Sequence, residues 1–130
     1  MCIIKVCGYT PKPWATNEWE WRREIAKEAR KHELYNKEQL VGKVFDVEII
    51  FYFTKENSNK PDLDNLVKPV LDTLFHPRNP QVKDVLLTGA LFDVDDDRVF
   101  KLKASKKIVT QKSDEGAEIN IKILQNEHEH

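Results

Sequence analysis

Between residues 44 and 53, Phe45, Val47, Ile49, Phe51 and Phe53 alternate with Val44, Asp46, Glu48, Ile50 and Tyr52. Successive side chains on a strand point to opposite faces, so this stretch predicts a strand with one strongly apolar face. Nearer the N-terminus, "CIIKVC" at residues 2 to 7 predicts a short strand, and the two prolines of "GYTPKPWAT" forbid regular structure after it. Asn17 suits the N-cap of a helix, with Glu20 three residues on in a box-like signature. The stretch "EWEWRREIAKEARKHEL" then predicts a helix with Trp21, Ile25 and Ala29 on one stripe and Glu18 paired with Arg22. Trp14, Trp19 and Trp21 are expected as core and staple residues; base stacking is the other use of such rings.

After the polar turn "TKENSNKP", apolar residues at Leu66, Val70, Leu71 and Leu74 predict a second helix. Pro69 is tolerable there only in a first turn or at a kink. The segment "HPRNPQVKDVLLTGALF" contains two prolines and a glycine and permits at most a helical turn or two, without a firm assignment. Finally, "RVFKLKASKKIVT" and "AEINIKIL" flank "QKSDEG" as the arms of a β-hairpin. No repeat, low-complexity stretch or linker divides the 130 residues, so one domain is expected.

Composition narrows the class. With 40% hydrophobic and 33% charged residues and no apolar run of about 18, the chain reads as soluble rather than membrane-spanning. The N-terminus lacks the regions of a signal peptide. Cys2 and Cys7 are the only cysteines and fall on opposite faces of a strand, so no disulfide is expected and the setting reads as reducing and cytoplasmic. His128 and His130 are expected to be a frayed tail rather than metal ligands. A net charge of -1 argues against non-specific coating of DNA. The charges are unevenly spread, however: acids gather in "DVDDD" at 93 to 97, and lysines in "KLKASKKIVTQK" downstream. An acidic spot beside a basic strip suits a metal-dependent enzyme acting on a polyanion, and equally a solvated strand face.

The chemistry centres on "KPDLDNLVKPVLDTLF" at 60 to 75. One of Asp62 and Asp64 could cap the helix beyond them, a use worth about 1 kcal/mol. The second carboxylate is left without that purpose. Two carboxylates within about 4 Å repel by several kcal/mol near a protein surface, and a divalent cation with a taste for oxygen ligands relieves the repulsion. In an extended segment the two would face one site together. The spacing of Asp93, Asp95 and Asp97 suggests a calcium loop, but Arg98 stands where glycine is needed and Ala104 where a bidentate Glu belongs. An acidic turn in solvent is the plainer reading there, although Phe92, Val94 and Val99 interleave the acids with core-forming residues. Lys68, four residues after Asp64, is either a surface ion-pair partner worth under about 1 kcal/mol or a cation that stabilises charge developing on a phosphate. Clustered acids, one lysine and no Ser/His/Asp or Cys/His arrangement point to metal-assisted phosphodiester hydrolysis.

At these residues the sequence resembles the RusA family of Holliday junction resolvases of bacteria, phages and prophages. "KPDLDNLVKPVLDTLF" matches its D-x-D-N-L stretch with a lysine shortly after and a D-x-L ending; "DDDRV" matches its later D-D-x-x-V element in the register of Asp95, Asp96 and Val99. The resemblance, over roughly residues 45 to 105, implies an α+β fold with two main helices packed on a small mixed β-sheet. It also implies a homodimeric endonuclease that uses Mg²⁺ or Mn²⁺, with no organic cofactor, to nick four-way DNA junctions symmetrically in recombination and repair. By the same resemblance Asp62, Asp64 and Asp96 are metal-binding catalytic acids, Asp95 a supporting metal-binding acid and Lys68 the catalytic lysine. Lys60, Arg22, Arg23, Lys101, Lys103, Lys106 and Lys107 are the candidates for contact with DNA phosphates. The chain departs from the family in a longer segment from His76 to Phe92 and in an N-terminal loop poor in basic residues. Two rival readings are a non-catalytic branched-DNA-binding or scaffold protein of the same fold, and a phosphatase suggested by D-L-D alone. The second calls for a strand directly before the first Asp.

Overall fold

The strand rich in phenylalanine runs from Lys43 to Thr54, and its odd-numbered residues from Phe45 to Phe53 are all buried. In this computed structural model, which describes residues 1 to 77 and 87 to 125, it is β2 of a four-stranded sheet. The chain order is β1 (Cys2–Cys7), α1 (Trp19–Ala29), β2 (Lys43–Thr54), α2 (Leu63–Leu74), β3 (Val99–Val109) and β4 (Gly116–Gln125). The sheet order is β1-β4-β2-β3, with β4 antiparallel to both its neighbours and β3 parallel to β2. This is the expected α+β arrangement of a small mixed sheet and two helices. Cys2 is buried, Cys7 is exposed and both are free. No helix among the described residues is long and apolar enough to cross a membrane. The one or two helical turns considered within residues 76 to 92, and the tail histidines, lie largely or wholly outside the described residues.

The expected hairpin does not form. β2 lies between β3 and β4, and the six residues from 110 to 115 step across its end. Two strand spacings are about 10 Å, within the roughly 20 Å that six residues can reach. The residue types decide which strand takes the centre. β4 buries Ala117, Ile119 and Ile121 between two neighbours, whereas β3 leaves Leu102 and Ile108 half exposed and carries four lysines. A lysine-rich strand belongs at an edge, where unpaired backbone must stay in water. The crossover is held by Glu115, fully buried, whose carboxylate accepts from Thr10 Oγ1, Asn57 Nδ2 and both the N–H and Oγ1 of Thr54. Burial alone would raise its pKa, but these hydrogen bonds outweigh it and hold the group at about 2. Gly116 comes next because a Cβ there would lie 1.9 Å from the Val6 carbonyl oxygen.

α1 starts later and ends earlier than its pattern suggests. Glu18, not Asn17, holds the cap position and no side-chain cap bond forms there; the helix stops at Ala29 rather than reaching Leu34. Its stripe is as expected, with Trp21, Ile25 and Ala29 buried. Trp14 and Trp19, by contrast, are half exposed and not core. Arg22 turns away from Glu18 into the interior, where Nε donates to Thr73 Oγ1 at 2.9 Å and a terminal nitrogen to the Leu87 carbonyl. This joins α1 to α2 through a buried polar link.

α2 buries Leu66, Val70, Leu71 and Leu74, as its spacing predicts. Pro69 is in its interior rather than its first turn, where it removes a helical hydrogen bond at a cost of about 3 kcal/mol. Part of that loss is recovered from outside the helix. The Asn65 carbonyl that Pro69 cannot reach accepts the backbone N–H of Trp14 at 2.8 Å. The N-terminal loop is thereby fastened to α2.

Candidate active site

α2 begins between the two aspartates of the first acidic motif. Asp62 holds the cap position in extended conformation, exposed and without a side-chain cap bond, while Asp64 is already in the first turn and accepts the Asn65 N–H at 3.0 Å. The alternation of an extended segment therefore does not relate them. Helical spacing does so for Asp64 and its partners: Asp64, Lys68 and Asp72 come at intervals of four along one face of α2. Asp62 and Asp64 stand at the start of the helix, where the backbone dipole favours negative charge.

The second motif is a 3-10 turn, Asp96–Arg98, entered from Asp95. Asp95 spends one carboxylate oxygen on the Asp96 N–H at 2.7 Å, and the Arg98 guanidinium bonds the carbonyls of Leu40 and Lys43, fixing the turn to the start of β2. Phe92 and Val94 are buried just before it, so the acids are held at the protein body rather than in a free loop. Asp93 is used locally too, accepting from the Lys37 N–H. Phe92 returns to pair with Phe75 at the end of α2, the rings stacked 4.7 Å apart, and Phe92 N–H donates to Leu74 O while His76 N–H donates to Phe92 O. Phe92, just before the acidic turn, is thereby fastened to the end of α2.

Asp64, Lys68 and Asp96 meet in one cleft of about 420 Å³, floored by Val67, Leu71, Leu102 and Ala104. The carboxyl of Asp96 is raised above its ordinary range. Burial is the first cause, then a hydrogen bond with Asp95 and the charges of Asp95 and Asp72; Lys68 acts in the opposite sense. Asp72 is a member of this group to which the sequence motifs assigned no role. Its signal was available in the i, i+4, i+8 register of α2 and in the D-x-L ending. Lys68 also lies under an aromatic ring, its Nζ 5.4 Å from the centroid of Trp14.

Among the described residues no group of three acidic, histidine or cysteine side chains stands ready to hold a metal ion. The donors in and beside the cleft are nevertheless all aspartate oxygens, the hard ligands that Mg²⁺ and Mn²⁺ select. Asp64 and Asp96 share the cleft, Asp62 is at the adjoining cap and Asp95 behind Asp96. The set fits such an ion in kind.

The basic candidates divide by location. Lys106 lies on the helix side of β3, but its ammonium donates to the carbonyls of Ser58 and Pro61 and sits over Phe53. It clamps the turn that delivers Asp62. Lys101, Lys103 and Lys107 alternate with Leu102 and so point to the opposite sheet face from the cleft, where Lys103 pairs with Glu48 at 3.6 Å. Arg22 is buried as described, and Arg23 is exposed on α1. Lys60 is exposed and, with Lys12, lines a second cleft between the N-terminal loop and the turn before Asp62. No strand directly precedes Asp62: β2 ends at Thr54, and a 3-10 turn, Lys55–Asn57, intervenes.

The family model for endodeoxyribonuclease RusA matches residues 8 to 123. The match takes in both acidic motifs, both helices and most of the sheet. No curated protein and no solved structure matches the chain. The chain belongs to the RusA endodeoxyribonuclease family.

Proposed function

We propose that this RusA-family chain is a divalent-metal-dependent endonuclease that resolves four-way DNA junctions in recombination and repair. The observation that carries the reading is the convergence of Asp64 and Lys68 from α2 with Asp96 from a distant turn in one cleft. Asp62, Asp64 and Asp96 would hold Mg²⁺ or Mn²⁺, with Asp95 in support. Such an ion supplies activation of water and neutralisation of the departing oxygen.

The chain's own groups do the rest. The apolar floor keeps bulk water away from one side of the phosphate and strengthens every charge interaction above it. Lys68 places its ammonium beside the phosphoryl oxygens and counters the negative charge that grows there during P–O cleavage. Lys106 holds Ser58 and Pro61, and through them the backbone that presents Asp62. A homodimer suits the substrate, because a two-fold symmetric junction calls for two paired cuts and a C₂ pair supplies two identical sites. Recognition by branch shape asks for few base contacts, in keeping with a cleft whose lining carries Lys68 as its cation. Two free cysteines accord with work in the cytoplasm.

The test is cleavage of a labelled synthetic four-way junction beside a linear duplex of the same sequence, with Mg²⁺, with Mn²⁺ and with chelator. Paired, metal-dependent nicks on the junction alone are expected. Junction binding without cutting under either cation would favour a non-catalytic scaffold. Turnover of a generic phosphate monoester, with junction DNA left whole, would favour a phosphatase.

A further inference from the structure

Trp14 is 51% exposed although it is among the largest apolar side chains of the molecule, whereas Trp21 is buried at 1%. Its backbone is nonetheless firmly held. The Trp14 N–H fills the Asn65 carbonyl that Pro69 leaves unpaired in α2, at 2.8 Å. The turn around it is closed by Thr16, whose N–H and Oγ1 both donate to the Pro13 carbonyl. Ala15 adopts a φ of +67°, a left-handed conformation that residues with a Cβ seldom take. A strained turn and a repaired helix thus hold an indole in water, with its centroid 5.4 Å from Lys68 Nζ at the candidate active site. Pro13 also lines the second cleft, together with Lys12, Lys60, Pro11 and Pro61.

We propose that Trp14 is a stacking platform for an unpaired base of the DNA substrate, next to the phosphate held at Asp64, Lys68 and Asp96. The proposal rests on the endonuclease reading of that cleft and names the substrate feature it grips. Bases inside a duplex are covered by their neighbours, while those at a branch point can leave the stack. An exposed ring accepts any such base, because every base presents a π-face. The positive charge of Lys68 beneath the ring, and of Lys12 and Lys60 beyond the turn, matches the phosphates on either side of that base. Trp14 therefore contributes preference for branched over linear DNA, independently of base sequence.

The full chain and its Trp14→Ala and Trp14→Phe variants are to be titrated in chelator against a junction carrying 2-aminopurine at the branch point and against a linear duplex. Sedimentation and metal-started cleavage are monitored on the same samples. Expected are quenching of 2-aminopurine by the unmodified chain, loss of that quenching in Trp14→Ala, and junction affinity weaker by roughly 5- to 150-fold. Duplex affinity should move less than about twofold, and Trp14→Phe should retain most of the junction preference. Equal losses on junction and duplex, or none on either, overturn the proposal. So does a fall in kcat at unchanged junction affinity, which would make the ring a support for Lys68 alone, or an altered sedimentation coefficient without altered DNA binding, which would make it a protein contact. Quenching without any cleavage by the unmodified chain would remove the endonuclease reading and leave the platform standing; cleavage unaffected by either variant would do the reverse.

Discussion

Two carboxylates of the C-terminal half, Glu115 in the crossover and Asp96 in the cleft, show how one functional group is put to two uses. Glu115 is fully buried, yet four donors surround it and its pKa falls to about 2. Asp96 is only partly buried, yet burial and its neighbours Asp95 and Asp72 raise its pKa. Depth is therefore a poor guide to the state of an acid, and the supply of donors decides. Where donors are complete the charge stabilises the fold. Where carboxylates are gathered without enough of them, negative charge stands in excess and a cation is what would balance it.

The sharpest way to break this contrast is to neutralise each acid in turn. Asp96→Asn is expected to lower junction cleavage by about 10³-fold, while the melting temperature holds or rises, because charge opposed by its surroundings has been removed. A cleavage rate within about threefold of the unmodified chain would end the catalytic assignment. Glu115→Gln should do the opposite. Its amide nitrogen cannot accept from the donors now satisfied, so stability should drop by roughly 2 to 3 kcal/mol in urea unfolding, with cleavage per folded molecule little changed.

Acidity gives a second, smaller separation. Because the folded-state pKa of Glu115 is below its ordinary 4.5, its contribution is present above that pH and lost as pH falls toward about 2. Stability measured from about pH 6 downwards should decline through that window, and Glu115→Gln should flatten the decline. An unchanged slope in the variant would show that other acids govern it.

The smallest expected effect concerns Lys106, which the sequence offers only as a candidate for phosphate contact and the structure places on the carbonyls of Ser58 and Pro61. Lys106→Met should raise the Mg²⁺ concentration needed for half-maximal cleavage by about 10-fold and leave the salt dependence of junction binding as it is. If the logarithmic salt slope instead fell by about 1, the ammonium would be touching DNA.

Much of the molecule is legible in local pattern. The alternation from Phe45 to Phe53 fixes β2 and its buried face, "CIIKVC" yields β1, and the spacing of Leu66, Val70, Leu71 and Leu74 yields α2. The same helical period aligns Asp64 and Lys68, and read one turn further it aligns Asp72. Other features depend on partners far along the chain. The edge position of β3 follows from β1 pairing with β4 while β2 takes β3 and β4 on its two sides, and the inward turn of Arg22 from a hydroxyl on Thr73, 51 residues away. A run of lysines looks alike in sequence whether it faces DNA, a neighbouring glutamate or a backbone carbonyl.

By itself the sequence determined which segments become strands or helices and which acids share a helical face, because periodicity is set by backbone geometry between near neighbours. Tertiary structure alone decided the strand order, the union of Asp96 with Asp64 and Lys68, and the exposure of Trp14 beside them. Each of these depends on which distant groups claim a buried ladder edge, a carbonyl left open by Pro69 or a hydrogen-bond donor, and that competition is resolved only when the whole chain is packed.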